Sequence, residues 1–207
     1  MKLYYSPGAC SLSPHIVARE AGIELQLEKV DTKTKQTETG RDFLKINPKG
    51  YVPALELDNG DVLTEGTAIV QYLADQKPAT RLAPANGTFA RSRLQETLGY
   101  ISTELHKTYT PLFYPTTPPE VKQERKEYLR KRYALIEQTL AEQPLLSGDD
   151  FTVADAYLFT VTNWAGHVDL DLSEFKALNA FQQRVAARPH VQAALDAEGL
   201  GAKAAAA

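Results

Sequence analysis

Cys10 is the residue whose type and position in this sequence most directly suggest chemistry. It follows the turn signal Ser6-Pro7-Gly8 and precedes a segment whose apolar residues recur at helical spacing. A thiol at the N-terminus of a helix faces unpaired N–H groups and the positive end of the helix dipole, and both favour the thiolate. A thiolate there would act as a nucleophile and exchange with disulfides. The alternative is a small buried apolar residue, as most free cysteines are, and position alone does not decide between the two.

Two further segments carry groups suited to binding a peptide-like ligand. In the segment Asn47 to Pro53, a cis peptide bond before Pro53 would leave the backbone groups of Val52 free to pair with an outside peptide. The residues alone favour a simpler interpretation, a tight loop with an edge-strand proline. Glu65 opens a predicted helix whose free N–H groups can bind a carboxylate, while its own side chain can hold an ammonium. A glutamate in a first helical turn is also common for dipole reasons alone.

The elements that position these residues alternate along the first 75 residues. A strand, a helix and a strand follow one another within about 30 residues, which is typical of a βαβ unit with parallel strands. The turn signal Asp58-Asn59-Gly60 then predicts a hairpin, and a further helix follows it. The predicted segments are strands 3–5, 25–30, 54–57 and 61–63 and helices 11–21 and 65–75. This order predicts a small mixed sheet with helices packed on it.

The rest of the chain shows helical spacing only. Residues 78–86 are rich in Pro and Ala and lack periodicity, so we interpret them as a linker. The predicted helical segments beyond it cover 94–112, 120–143, 151–167 and 175 to Pro189. Residues 202–207 have nothing to bury and are predicted to be a flexible tail.

The composition excludes several classes of protein. The 207 residues are 43% hydrophobic and 24% charged, as in an ordinary globular protein and unlike a disordered chain. With 23 Lys and Arg against 26 Asp and Glu, the net charge is −3, which argues against broad nucleic-acid binding. One cysteine cannot form an intramolecular disulfide, the N-terminus has no apolar signal segment, and the stretch Val153 to Val168 is too short to span a bilayer. We therefore expect a cytoplasmic protein with neither nucleic-acid nor membrane partners.

Two other patterns have structural interpretations. Thr152 and Asp155 have the spacing of a capping box, so we assign both to the start of a helix despite the acidic residue in an apolar segment. The run His167 to Asp171 resembles a metal motif, but it joins two helices and lacks partner ligands, so no metal site is expected.

Three motifs in this order resemble the bacterial beta-class glutathione transferases. They are Tyr4 to His15, Asn47 to Leu55 and Leu63 to Leu73, and the resemblance continues through Thr103 to Lys107 and Phe151 to Phe159. It implies an α+β fold, in which a thioredoxin-like domain of order βαβαββα precedes an all-helical domain. The implied boundaries are 1–77 for the glutathione-binding domain, 78–86 for the linker and 87–201 for the helical domain, which would hold the electrophile and form the dimer contacts.

The resemblance also implies roles for individual residues. Cys10 matches a cysteine that lies beside the glutathione sulfur and can form a mixed disulfide with it. His106 matches a histidine near the same sulfur, and these two residues are the implied catalytic pair. Lys35 matches a lysine that contacts the glycyl carboxylate of glutathione.

The remaining implied contacts lie in the loops around the sheet. Val52 precedes an implied cis-proline, Pro53, and its backbone would pair with the cysteinyl unit, while Glu65 and Gly66 match the pair that grips the γ-glutamyl end. These groups suit a ligand with two carboxylates and one ammonium.

Two positions further along match residues that reach glutathione across a subunit interface. They are Thr103 and Glu104, and they make a homodimer part of the implied assembly. Position 99 departs from the family, which often has a side-chain amide there, because Gly99 offers no side-chain contact.

The implied reaction is the conjugation of glutathione, as co-substrate and without another cofactor, to hydrophobic electrophiles, a detoxification reaction. The residues that would line the electrophile site are aromatic: Tyr109, Phe113, Tyr114 and Trp164. Two alternatives stay open: a glutathione-dependent thiol–disulfide oxidoreductase that uses Cys10, and a non-catalytic module that binds glutathione or another ligand.

Overall fold

A computed structural model of the chain describes residues 1–201, so the predicted tail 202–207 lies outside the described residues. The N-terminal part contains five strands and two α-helices, one strand more than the alternating pattern predicts. The strands are β1 (Lys2–Tyr5), β2 (Gln26–Asp31), β3 (Gln36–Thr37), β4 (Ala54–Glu56) and β5 (Val62–Thr64). The helices are α1 (Leu12–Glu20) and α2 (Gly66–Gln76).

The strands form one mixed sheet in the order β3-β2-β1-β4-β5. The central strand β1 pairs parallel with β2 and antiparallel with β4, with Leu3 opposite both Leu27 and Leu55. The parallel pair confirms the predicted βαβ unit, and the β4–β5 hairpin turns at the predicted Asp58-Asn59-Gly60. Apolar side chains on one face of the sheet pack against α1, α2 and the helical part, while the smaller cluster of Tyr4, Val30, Phe43, Val52 and Ala54 covers the other face.

The element order βαβαββα is correct except at its second helix. Between β2 and β4 the chain forms the two-residue strand β3 and a single turn of 3₁₀-helix, Phe43–Lys45, instead of an α-helix. Asp42 caps this turn by accepting a hydrogen bond from the Leu44 N–H at 3.0 Å. Pro48 follows shortly after the turn, and a proline cannot continue a hydrogen-bonded helix.

The C-terminal part is entirely helical within the described residues. Its α-helices are α3 (Phe89–Tyr100), α4 (Lys107–Tyr109), α5 (Pro119–Glu142), α6 (Val153–Thr162), α7 (Lys176–Ala186) and α8 (Pro189–Ala197). Helix α6 is buried along its whole length and forms the centre of this part. The α+β fold class, with a small mixed sheet followed by helices, is therefore confirmed.

Two of the predicted helical segments differ from the structure, and one helix was not predicted. The segment 94–112 is a composite, in which α3 is followed by a π-helix, Ile101–His106, then by α4 and a 3₁₀-turn, Thr110–Phe113. The segment 151–167 divides into α6 and the 3₁₀-turn Ala165–Val168. Helix α8 was not predicted, because Pro189 was interpreted as a stop, whereas a proline is also well suited to the first position of a helix.

Polar contacts join the two parts at several places. Arg188, just before α8, donates two hydrogen bonds to the carboxylate of Glu20 on α1, at 2.7 and 2.8 Å. Arg91 on α3 makes a bidentate contact with Asp75 at the end of α2, at 2.8 and 2.7 Å. Planar two-point contacts of this kind fix orientation as well as distance. They hold the sheet and the helical part in a defined arrangement around the cleft between them.

Candidate functional site

The predicted site residues converge on the cleft between the sheet and the helical part. Cys10 precedes α1, Val52 precedes β4, Glu65 precedes α2, and His106 ends the π-helix. The thiol of Cys10 contacts the Val52 carbonyl oxygen at 3.1 Å, and the charge of Glu65 influences the pKa values of both Cys10 and His106. Three chain segments from the sheet part and one from the helical part thus meet at a single site.

Cys10 is held as a thiol and not as a thiolate. Burial raises the pKa of the Cys10 thiol to about 12, and the backbone N–H groups of Cys10 and Ser11 and the charge of Lys107 only partly oppose this shift. Of the two interpretations that position left open, this shift favours the small buried thiol over the thiolate. The physical reason is that Ser11, not Cys10, occupies the N-cap of α1, and the loss of hydration outweighs the helix dipole.

Alkylation of the unmodified protein tests this assignment, because Cys10 is the single cysteine. With iodoacetamide at about pH 7.5, we expect Cys10 to react at least about tenfold more slowly than a thiol of ordinary pKa. The rate should still rise at about pH 10, since the thiolate fraction grows until the pH reaches the pKa. Intact mass against time gives the rate, and free cysteine is the control. A rate that levels off near or below about pH 8 would show a depressed pKa.

The peptide bond between Val52 and Pro53 is cis, as the resemblance implied. Asn47 supports the loop before it by donating a side-chain hydrogen bond to the Tyr51 carbonyl at 2.7 Å. Val52 is buried, and its carbonyl oxygen accepts the bond from Cys10. The backbone at Val52 therefore faces the cysteine rather than solvent.

Glu65 lies at the N-cap of α2 in a left-handed backbone conformation, with φ 68°. One of its carboxylate oxygens, Oε1, accepts hydrogen bonds from the Lys49 ammonium at 2.6 Å and from the Tyr51 hydroxyl at 2.8 Å. These two bonds lower the pKa of Glu65, so the carboxylate is charged. Gly66 follows as the first residue of α2. Sequence reasoning missed Lys49 and Tyr51 as partners of Glu65, although both lie in the motif Asn47 to Pro53 that it singled out.

Lys35 lies in the turn between β2 and β3 and contacts the loop before β4. Its ammonium donates a hydrogen bond to the Gly50 carbonyl oxygen at 2.6 Å. Gly50 has φ 72°, and a Cβ there would lie 3.1 Å from Leu44 Cδ2 and 3.6 Å from Lys35 Cε. Both the left-handed conformation and the crowding favour glycine at this position.

His106 ends the π-helix and faces a polar aromatic partner that the sequence did not reveal. Its Nδ1 lies 2.5 Å from the Tyr157 hydroxyl oxygen, and its ring contacts Trp164 edge to face at 4.9 Å between centroids. Burial, helped by the charge of Lys107, lowers the pKa of His106 to about 4, so the imidazole is neutral at pH 7. The wider turn of the π-helix displaces the residues that follow it, as is common at functional sites.

Thr103 and Glu104 are not brought to Cys10 within this chain. The Thr103 hydroxyl donates a hydrogen bond to the Gly99 carbonyl at 3.0 Å, and its side chain is exposed. Glu104 faces α5, where it pairs with Arg132 at 2.9 Å and accepts a hydrogen bond from the Tyr128 hydroxyl at 2.5 Å. Their assignment to an intersubunit contact stays a prediction.

Three of the predicted aromatic residues, Tyr109, Phe113 and Trp164, form a connected cluster next to His106. Phe113 is 47% exposed and lies 5.8 Å from Trp164 between ring centroids, and the next residue, Tyr114, is 57% exposed. Tyr109 is fully buried, and its hydroxyl forms a hydrogen bond with that of Tyr133 at 2.9 Å, so Tyr109 does not line the surface. An apolar ligand would thus meet mainly Phe113 and Tyr114, and Trp164 would contribute the 7% of its surface that is exposed.

Two side chains of the helical part hold the turn before Cys10. The Trp164 indole donates a hydrogen bond to the Gly8 carbonyl oxygen at 2.8 Å, and Glu198 accepts one from the Gly8 N–H at 2.9 Å. Glu198 also contacts His15 Nδ1 at 2.9 Å, and both side chains are buried. These contacts join residues more than 150 positions apart, so no local sequence pattern indicates them. The contacts to Gly8 fix the position of the backbone just before Cys10.

Neither a metal-binding cluster nor a membrane-spanning helix is found among the described residues. Residues 1–201 contain no cluster of three or more His, Cys, Asp or Glu side chains with the arrangement of a metal site. In the same range, no helix combines the length and apolar character that crossing a membrane requires.

The sequence and the structure of this chain are both similar to those of one family of enzymes. The family model for the glutathione S-transferase N-terminal domain matches residues 8–76, and that for the glutathione S-transferase C-terminal domain matches residues 100–189. The chain is 50% identical to the glutathione S-transferase GstA of Escherichia coli O157:H7 over 97% of this chain and 100% of the relative. It superposes on BphK, a bacterial glutathione S-transferase solved as a ternary complex, with TM-score 0.95, 54% identity and 97% and 100% coverage. A beta-class glutathione S-transferase of Sphingomonas chungbukensis gives TM-score 0.94, 46% identity and 97% and 100% coverage.

Proposed function

Because the chain belongs to the glutathione S-transferase family, we propose that it conjugates the thiol of glutathione to hydrophobic electrophiles. The resemblance to the bacterial beta class is confirmed by the similarity to a solved member of that class. Glutathione serves as the co-substrate in this proposal, and detoxification of electrophiles is the physiological role that the reaction suits. In this proposal, glutathione binds on the sheet side of the cleft and the electrophile binds on the helical side.

The observation that carries the proposal is the set of binding groups gathered around the loop 49–52. The loop contacts a cation, Lys35, through the Gly50 carbonyl and a carboxylate, Glu65, through Lys49 and Tyr51, and its Val52 carbonyl lies next to Cys10. Glutathione carries the complementary groups: a glycyl carboxylate, the cysteinyl peptide groups and a γ-glutamyl ammonium. Gly66 would contribute its N–H at the start of α2 to the γ-glutamyl carboxylate.

Conjugation needs the glutathione sulfur as a thiolate that attacks an electrophilic carbon. In the reaction the C–S bond forms, the leaving group departs with its electron pair, and the thiol proton is released to solvent. The N–H groups of Cys10 and Ser11 and the ammonium of Lys107 favour a negative charge beside Cys10. Neutral His106, tied to Tyr157, would orient toward the sulfur as a hydrogen-bonding group rather than as a cation.

The electrophile would bind against Phe113, Tyr114 and Trp164, on the helical side of the cleft. This surface is aromatic and partly exposed, and it lies directly beside His106 through the His106–Trp164 contact. Holding the two reactants in neighbouring subsites converts a bimolecular step into one within a complex. Planar apolar electrophiles are therefore the class that this surface fits best.

A homodimer is part of the proposal. Thr103 and Glu104 do not face the cleft of their own chain, which is consistent with a contact to glutathione bound by a second subunit. Phe89 on the same helical segment is 73% exposed, and an exposed aromatic residue of this size suits a subunit interface.

Thiol–disulfide exchange through Cys10 is the less favoured function. Exchange requires a thiolate, and burial raises the pKa of Cys10 to about 12. A pure binding module is also less favoured, because the similar proteins GstA and BphK are both glutathione S-transferases. Titration calorimetry with glutathione tests the ligand assignment: we expect saturable binding, and no detectable binding at saturating concentration would refute the proposed function.

A further inference from the structure

The loop segment Lys49–Val52 contacts three side chains around the proposed glutathione site: Lys35, Glu65 and Cys10. Lys49 and Tyr51 donate hydrogen bonds to the Glu65 carboxylate. The Gly50 carbonyl accepts a hydrogen bond from the Lys35 ammonium, and the Val52 carbonyl accepts one from the Cys10 thiol. Each of these intramolecular contacts has a counterpart in the ligand. The Lys49 ammonium corresponds to the γ-glutamyl ammonium, and the Gly50 oxygen corresponds to a glycyl carboxylate oxygen.

We propose that Lys49 is a specificity-determining residue that competes with the ammonium of glutathione for Glu65. The inference rests on the proposed function and extends it to a residue that no resemblance assigned. Lys49 Nζ lies 2.6 Å from Glu65 Oε1 and 2.9 Å from the Thr64 hydroxyl oxygen, so it occupies the charged end of the site. The γ-glutamyl ammonium must either displace it or share the carboxylate with it.

Charge and exposure make this exchange feasible. The Lys49 side chain is 46% exposed and the Glu65 side chain 53% exposed, so the ion pair is largely solvated. A solvated pair of this kind contributes little free energy and can be replaced without leaving a buried charge unpaired. Tyr51 also donates to Oε1 and keeps the carboxylate in place when Lys49 moves. Among the residues that the structure describes, none donates a hydrogen bond to the second oxygen of Glu65.

The competition has a measurable consequence for the selectivity of the site. As long as the Lys49 ammonium is paired with Glu65, the ligand ammonium gains less binding free energy from this carboxylate than it would gain from an unpaired carboxylate. Removing the Lys49 charge should therefore strengthen the binding of ligands that carry the ammonium and leave ligands without it unaffected. A role for Lys49 in attracting the carboxylates of glutathione instead predicts that both kinds of ligand bind more weakly.

The test compares glutathione with glutaryl-cysteinyl-glycine, which lacks only the γ-glutamyl ammonium, by titration calorimetry. The quantity of interest is the ratio of the Kd for the analogue to the Kd for glutathione. In Lys49→Met we expect this ratio to rise about two- to fivefold above that of the wild-type protein, the range that a solvated ion pair supplies. Both ligands carry the same two carboxylates, but the analogue has one more net negative charge, so the general effect of removing a positive charge on the ratio must be measured with a second lysine variant.

Two matched variants serve as controls. Lys45→Met removes an equal charge from an exposed position four residues earlier in the sequence and should leave the ratio unchanged. Lys49→Arg keeps the charge and should retain the wild-type ratio. An unchanged or lower ratio in Lys49→Met would overturn the inference while leaving the proposed function intact. Failure of the wild-type protein to bind either ligand would overturn the proposed function and, with it, the inference.

Discussion

Asp155→Ala should lower the free energy of unfolding by about 3–5 kcal/mol, because it leaves several buried donors without a partner. Asp155 is fully buried, and its carboxylate accepts hydrogen bonds from the Leu146 N–H, the Thr152 N–H and the Thr152 hydroxyl, each at 2.8 Å. Burial raises the pKa of Asp155, and these three bonds oppose that shift. The predicted capping box of Thr152 and Asp155 therefore fixes the start of α6, the buried centre of the helical part.

Urea unfolding followed by circular dichroism measures this effect. Asp149→Ala, at an exposed position six residues earlier, is the matched control and should change stability by less than about 0.5 kcal/mol. Asp155→Asn keeps one acceptor oxygen and should fall between the wild-type protein and Asp155→Ala. A loss of less than about 1 kcal/mol in Asp155→Ala would show that the carboxylate is not the anchor of α6.

Glu65→Gln is expected to weaken glutathione binding by about tenfold or more, since a charged hydrogen bond to an ammonium is replaced by a neutral one. The substitution keeps the size of the side chain and an oxygen acceptor, so the fold at the start of α2 should be retained. The Glu65 side chain is 53% exposed, so we expect the loss of binding free energy to lie near the lower end of the range for charged hydrogen bonds.

Titration calorimetry with glutathione measures the loss, and Glu24→Gln provides the control. Glu24 is exposed and lies before β2, so its neutralisation changes the net charge equally without touching the cleft. We expect its Kd to equal that of the wild-type protein. A change of less than about twofold in Glu65→Gln would remove Glu65 from the binding site.

Local patterns predicted the elements whose signals are contained in a few residues. The hairpin turn at Asp58-Asn59-Gly60, the βαβ unit and the capping box of Thr152 and Asp155 each depend on residues close together in the chain. Pro189 shows where such reasoning fails, because a proline both ends one helix and begins another. The π-helix at Ile101–His106 has no sequence signal that distinguishes it from the flanking α-helix.

The properties of the site depended on contacts between distant segments. The sequence left the state of Cys10 open because the helix dipole is a local effect, whereas the burial that raises the pKa of its thiol comes from the packed cleft. Tyr157 as the partner of His106 and Glu198 as the partner of Gly8 lie 51 and 190 positions away in sequence. Lys49 was quoted within its motif, yet its contact with Glu65 appears only when the loop before β4 folds against the start of α2.

The steady-state conjugation of glutathione to an aryl halide activated by two nitro groups tests the central claim most directly. The absorbance of the thioether product gives the rate for the wild-type protein and for Cys10→Ala. We predict a rate that saturates with glutathione and exceeds the uncatalysed reaction, and we expect Cys10→Ala to stay within about threefold of it. A wild-type rate equal to the uncatalysed one would contradict the transferase function. Complete loss of conjugation in a folded Cys10→Ala would instead make Cys10 essential to the reaction, contrary to its assignment as a protonated neighbour of the glutathione sulfur.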